Sequence, residues 1–431
     1  MKPLSPSSQQ TQVRSLTCPA PGTMPGSRQT RVGVRRITGG KPRPAAAGPR
    51  IGLALAGGGP LGVIYELGAL RALEEALEGV DFNQLDVYVG VSSGAVITAC
   101  LANRLTTAQL YGLLIGHPDE PSALNPNLFL QPAYQEYWQR LQAVPGLLAQ
   151  AAWAWLKRPW SLGWLGAFAS LGQAVPTGVF DNAAMHAYLE QLFTQDDRTN
   201  AFPRLPHPLY VVAVDLDTGQ PTVFGSPDSA HIPISKAVQA SAALPGLYPP
   251  VEIEGRYYVD GALSKTLHAS VALKHGLDLL LCLNPLVPFD AQQAVRAGRA
   301  CPGTLARGGL PVVLSQTFRT LIRSRMQVGM AGYASQYPNT EILLFEPNRE
   351  DPQVFFTNPF SFADRHWVCE HAYHTTRRDL WVRRETLAPV LASHGIRLRV
   401  ERLVAPEHPV STPLPAADNH GSLTPILVAA R

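Results

Sequence analysis

A short apolar run that stops on three consecutive glycines constrains this chain more than any other feature. Residues 51–57 read IGLALAG, and Gly58, Gly59, Pro60, Leu61 and Gly62 follow before VIYELGALRALEEALEG at 63–79 takes up helical spacing and ends on glycine. A strand that is apolar throughout belongs inside a parallel sheet covered on both faces, and a glycine turn leading into a helix is the usual continuation of such a strand. The unit then repeats. LDVYVGV at 85–91 predicts a strand, Ser92-Ser93-Gly94 a turn, and AVITACLANRL at 95–105 a helix. Further strands are predicted at 209–217, 221–225, 251–260, 278–286 and 341–347, with helices at 181–193 and 235–243. The alternation implies an α/β fold with a mostly parallel central sheet.

Around that core the composition shifts. Residues 1–50 hold nine basic and no acidic residues, and eight prolines. Residues 1–48 therefore read as a disordered basic tail. The rest of the chain carries 27 basic against 32 acidic residues, so no folded basic surface is on offer to track phosphates and a nucleic-acid partner is not expected. An ordered body is expected over 49–290, an α-rich extension over 291–403 and a second disordered tail over 404–431. Within the body, 145–175 is apolar and holds Trp153, Trp155, Trp160 and Trp164, but Lys157-Arg158-Pro159 divides it into pieces too short to span a bilayer. It reads either as an interfacial segment in transient contact with a membrane surface or as a helical insertion packed on its own domain. Arg319, Arg323 and Arg325, among Phe318, Leu321, Ile322 and Met326, likewise read as a basic amphipathic helix or as a solvated helix face.

The five cysteines are scattered without a CxxC pair, which suggests neither a zinc cluster nor a disulfide framework. No HExxH or EF-hand pattern is present, so no metal is expected, and no cofactor is implied. The N-terminus lacks the apolar stretch of a secretory signal; the expectation is a cytoplasmic protein, peripheral on the inner face of the membrane.

Two glycine patterns compete for the chemistry. Gly57 to Gly62 matches GxGxxG between strand and helix, the pattern of a dinucleotide loop, which would make the protein a nucleotide-dependent oxidoreductase. Such a fold places an acid at the end of the second strand for the ribose hydroxyls; here the strand ends in Ser92. What stands there is Gly90-Val91-Ser92-Ser93-Gly94, GxSxG at a strand-to-helix turn, where a sharp bend lifts a serine hydroxyl out of the sheet. Backbone N–H groups of Gly57, Gly58 and Gly59 are then candidates to receive the negative charge of an attacked ester carbonyl, since no Cβ obstructs them. The serine needs a base. In ALPGLYPPVEIEGRYYVDGAL at 243–263, Glu254-Gly255 supplies a hairpin turn, leaving Asp260, before Gly261, at a strand end. Asp215 and Asp217 read as a strand-end turn.

In this order and spacing the motifs resemble the patatin-like phospholipases: GGG with a following glycine, GxSxG, then SAALPGLYPP and DGA, over residues 50–290, with the region to about 385 similar to bacterial members. The resemblance implies a three-layer α/β/α sandwich and a Ser–Asp dyad. Ser92 carries over as nucleophile, Asp260 as base, Gly57, Gly58 and Gly59 as the oxyanion-hole stretch, and Gly62, Gly90, Gly94 and Gly261 as supporting motif positions. It implies a serine lipid acyl hydrolase acting on phospholipids or related acyl esters through an acyl-enzyme. One departure stands out: where the family usually has a basic residue before the last glycine of the first motif, this chain has Leu61. A catalytically silent lipid-binding or scaffold protein of the same fold is the second reading. A histidine-containing triad through His268 is a third arrangement of the same site.

Overall fold

The computed structural model describes residues 48–116, 131–157, 175–195, 197–357 and 362–404. The two expected tails lie almost wholly outside these, as do Trp160 and Trp164 of the Trp-rich segment.

Ten strands are formed by the described residues: β1 (Ile51–Leu55), β2 (Leu77–Glu78), β3 (Val87–Val91), β4 (Leu209–Asp215), β5 (Pro221–Phe224), β6 (Val251–Ile253), β7 (Arg256–Asp260), β8 (Leu279–Leu283), β9 (Glu341–Phe345) and β10 (Arg397–Leu398). Eight of them make one sheet in which β4, β3, β1, β8 and β9 are parallel neighbours, while β5, β6 and β7 join antiparallel at the β4 side. β9 lies beyond residue 290, so the C-terminal region adds an edge strand to the main sheet and is not only helical.

Alternate residues of the central strands go to opposite faces, and both faces are buried. Leu53, Leu55, Tyr88, Leu279, Leu281 and Leu283 enter one apolar cluster; Ala54, Ala56, Val87, Val89, Val91, Leu280 and Cys282 enter the other. That is why these strands are apolar throughout, and it makes the molecule a three-layer α/β/α sandwich. The first cluster is covered by α1 (Gly59–Ala76), α2 (Ser93–Ala102), α3 (Thr107–Ile115) and the helices Ala183–Phe193, Ile234–Ser241 and Phe362–Val382. The last of these closes on α1 at Gly68, where a Cβ would stand 2.2 Å from the Cys369 carbonyl oxygen.

The helix predicted from residue 63 starts earlier, at Gly59, because Pro60 occupies its first turn, where the missing N–H costs nothing. It ends at Ala76, since Leu77 turns extended to pair with β10. α4 (Tyr134–Lys157) runs through Pro145 without a break, so the Trp-rich segment begins inside a helix rooted eleven residues upstream. No helix of the described residues is long and apolar enough to cross a membrane. Cys100, Cys282 and Cys369 are free and buried.

Candidate active site

The site is assembled at the carboxyl ends of β1 and β3. Leu55 is in register with Gly90, which sets the glycine turn after β1 beside the turn after β3. Ser92 is both the last residue before α2 and a non-glycine residue at φ +51°, ψ −117°. Holding an L-residue there costs of order 1–3 kcal/mol, and such strain persists only where surrounding contacts enforce it. Two such contacts are plain: Ser92 N–H donates to the Ser241 hydroxyl at 2.8 Å, and that hydroxyl donates to the Val212 carbonyl at 2.6 Å.

Asp260 reaches Ser92 through a shared strand. β3 pairs with residues 209–212 of β4, β7 with 213–215, and β5 holds 211–214. Because β5 overlaps both, it must occupy the opposite edge, and β3 and β7 therefore lie end to end along one edge of β4. Asp260, the last residue of β7, is registered against Ala213, one step beyond the Val91–Val212 pair. The turn that reverses the hairpin is the predicted one, Glu254 (φ +52°) and Gly255 (φ +77°), both left-handed as a two-residue I′ turn requires.

The result is a direct bond: Ser92 Oγ donates to Asp260 Oδ2 at 2.6 Å. Asp260 Oδ1 accepts from Ala262 N–H at 2.8 Å, and Asp260 N–H donates to the Ala243 carbonyl at 3.0 Å. Asp260 is 2% exposed and Ser92 3%. Burial pushes the carboxyl up from 3.8 to about 6, against the opposing pull of the bonds from Ser92 and Ala262. His268 belongs to no triad: its Nε2 lies 3.3 Å from the Gly261 carbonyl, and burial lowers its pKa to about 4, so the ring is neutral at ordinary pH. Asp215 closes a strand-end turn, accepting from the N–H groups of Asp217 and Thr218 at 2.9 and 3.0 Å.

The glycines divide by task. A Cβ on Gly57 would come within 3.1 Å of Ser92 Cβ and 2.9 Å of Ala262 Cβ, so only glycine lets the first turn lie against the serine. Its amide corrects the sequence expectation, however. Gly57 N–H already donates to the Thr266 carbonyl at 3.3 Å, so its contribution is closeness rather than a free donor. The N–H groups of Gly58 and Gly59 have no acceptor among the described residues, as befits the last residue before a helix and its first position. Gly59 sits at φ +66°. Gly62 packs on Ser93, Gly90 on Thr98, Gly94 on the Leu55 backbone and Gly261 on the Val212 carbonyl, each too close for a side chain.

Sequence reasoning missed several supports. Ser241 and Ala243 stand in the SAALPG motif, but their tasks are legible only once Val212 and Asp260 are beside them. Pro285, which presses on Gly58, sits in an unremarkable loop. Arg319 and Arg323 do not form a solvated or lipid-facing row: Arg319 donates to the Val287 carbonyl at 3.1 Å and Arg323 pairs with Glu346 at 3.3 Å.

The three-layer α/β/α fold thus carries a serine hydrogen-bonded to a buried carboxylate at the carboxyl ends of its parallel strands. Residues 53–273, more than half the chain, match the family model of patatin-like phospholipase, and the chain belongs to that family of lipid hydrolases. Among solved structures it is similar to VipD from Legionella pneumophila at 14% identity, covering 81% of this chain and 68% of that one with a TM-score of 0.36. It is also similar to the type III effector protein ExoU at 14% identity, covering 80% and 59%, with a TM-score of 0.30. A complex of SpcU with full-length ExoU from Pseudomonas aeruginosa gives 18% identity over 65% and 53%, with a TM-score of 0.23. The chain thus spans little more than half of the ExoU chains it matches.

Proposed function

We propose that the protein is a serine lipid acyl hydrolase that cleaves acyl esters of phospholipids or related lipids through a Ser92–Asp260 dyad. The observation that carries this reading is the 2.6 Å bond from Ser92 Oγ to a buried carboxylate, with Gly57 packed on the serine and followed by Gly58 and Gly59, whose amides have no acceptor among the described residues. Asp260 takes the hydroxyl proton as Ser92 Oγ attacks the ester carbonyl carbon. The carbonyl oxygen becomes an oxyanion facing backbone N–H groups, each such donor being worth about 3–4 kcal/mol in other hydrolases. Collapse expels the alcohol, which leaves with the proton from Asp260, and water then repeats the sequence on the acyl-enzyme. Labelling of the wild-type protein by a fluorophosphonate, together with turnover of a short-chain p-nitrophenyl ester, tests the reading. Liposome binding without turnover, unchanged in Ser92→Ala, is the result that would instead establish a silent lipid-binding protein.

Ionisation of Asp260 makes a further prediction. The base works only as carboxylate, and burial holds its pKa at about 6. Activity against a p-nitrophenyl ester should therefore rise with pH through about 6 and level off above it. His268, neutral from about pH 4 upward, contributes no such limb. A profile flat from pH 5 to 8 would count against Asp260 as the base.

Contact with a lipid surface is supported by α4. Tyr134, Trp138, Leu141, Pro145 and Leu148 follow at spacings of four and three, on one helix face, and the four large ones are 51–71% exposed. The root of α4 is tied toward the site: Glu136 accepts from Thr177 N–H at 2.7 Å, Gly178 bridges to Gly246, and the Gly246 loop leads back to Ala243. Tyr and Trp favour the headgroup zone. At about 1.5–3 kcal/mol per large apolar side chain, Trp138→Ser with Leu141→Ser should weaken vesicle partitioning at least tenfold in a sedimentation assay. Turnover of a soluble ester should stay within about twofold; unchanged partitioning would remove α4 from the interface.

A further inference from the structure

A cleft lined in part by Pro285, which also packs on the glycine turn, carries two cations that nothing in the catalytic scheme uses. Pro285 presses one side of its ring on Gly58, whose Cβ position is 2.6 Å from Pro285 Cγ, and also lines a cleft with Phe289, Arg319, Arg349, Asp351 and Phe355. Some arginines of this C-terminal region are matched to acids, as in Arg299–Glu350 and Arg323–Glu346. Arg319 and Arg349 are not: among the described residues neither has a carboxylate within ion-pair distance. Arg319 spends Nη1 on the Val287 carbonyl at 3.1 Å and Nε on Ser315 Oγ at 3.4 Å, with its guanidinium stacked 5.0 Å over the Phe355 ring. Arg349 spends Nε on the Pro288 carbonyl at 3.2 Å. Asp351, the acid of the cleft, is already engaged by His371 at 2.5 Å and by Gln353 N–H.

We propose that the mouth of this cleft, whose interior has room for little more than a water molecule, is an anion subsite that takes a phosphate ester through N–H groups of Arg319 and Arg349 that have no acceptor among the described residues, the phosphate being that of a lipid headgroup or a free phosphate. A planar guanidinium offers paired donors that match phosphate oxygens. Burial already depresses the Arg319 pKa to about 10, the sign of a charge left without compensation. The subsite would supply from the C-terminal region a cation that the first motif, with Leu61, does not hold. In a glycerophospholipid a short glycerol linker separates the acyl carbonyl from the phosphate, and Pro285, which touches Gly58 and lines the cleft, is the residue common to the two places. The lipid half of the inference rests on the hydrolase reading, and the binding half does not.

The test has two arms on the full chain. In calorimetry, inorganic phosphate should bind the wild type at millimolar concentration, and Arg319→Gln with Arg349→Gln should weaken it at least tenfold; Arg349→Gln alone serves if the double variant does not fold. In kinetics, a short-chain phosphatidylcholine should show a KM raised at least tenfold in the variant with kcat within twofold and p-nitrophenyl butyrate unaffected. Inorganic phosphate should compete with it in the wild type only, which assigns the site to the headgroup. Phosphate binding lost in the variant with an unchanged phospholipid KM supports the subsite but assigns it to free phosphate. Absence of phosphate binding to the wild type, or binding indifferent to both arginines, overturns the proposal. So does an equal loss on both substrates with phosphate binding intact, which would make the arginines mere straps for the 285–290 loop. Should no ester be turned over at all, the hydrolase reading fails while the calorimetry still judges the subsite.

Discussion

Ser92→Ala is expected to cut turnover of a short-chain p-nitrophenyl ester by on the order of 10⁴-fold or more, and to abolish fluorophosphonate labelling. The substitution removes the hydroxyl bonded to Asp260 Oδ2 and with it the covalent route. What remains is attack by water in a site that still holds the amides of Gly58 and Gly59, which is why a residue of catalysis over the uncatalysed rate is expected. The fold should survive. Ser92 N–H keeps its bond to Ser241, and the bond from Ala262 N–H to Oδ1 is untouched. Losing the serine bond raises the Asp260 pKa further, so the buried acid takes up a proton instead of standing as an unpaired charge. Undiminished turnover in a folded Ser92→Ala protein would end the proposal that this serine is the nucleophile.

Asp260→Asn is expected to lose about 10³-fold or more in turnover while becoming more stable at neutral pH. The amide fits the same space. Its oxygen can still accept from Ala262 N–H, but its NH₂ then faces Ser92 Oγ and donates where the carboxylate had accepted, so the hydroxyl keeps its proton. The stability change follows from burial. The folded-state pKa of about 6 lies above the ordinary 3.8; the folded protein binds the proton more tightly, and stability is lost as pH rises from about 4 to about 6. At pH 7 the ionised carboxylate costs on the order of 3 kcal/mol, which a neutral amide does not. Thermal unfolding at pH 7 should therefore show a higher Tm for Asp260→Asn than for wild type, with the gap closing toward pH 4. A variant that is inactive but less stable at pH 7 would show that Asp260 is a structural anchor. One that is fully active would remove the dyad.

Much of this site was legible before folding because its pieces are short-range. The apolar run ending at Leu55, the strand ending at Val91 and the Glu254-Gly255 reversal each follow from dihedral and burial preferences written within a few residues. Leu61 was visible as a departure, but its replacement was not. Arg319 read as part of a helix face, and only the fold sets it and Arg349 in one cleft with Pro285, which packs on Gly58.

The sequence alone determined the α/β alternation, the two glycine turns and the identity of the serine and the acid, since periodicity and backbone permissiveness are local properties. Only the tertiary structure decided that β3 and β7 share one edge of β4, so that residues 168 apart in the chain form a hydrogen bond. It alone committed Gly57 N–H to Thr266 while leaving the Gly58 and Gly59 amides without an acceptor among the described residues. Strand register and the fate of each amide depend on every neighbour in the sheet at once, and no window of sequence contains them.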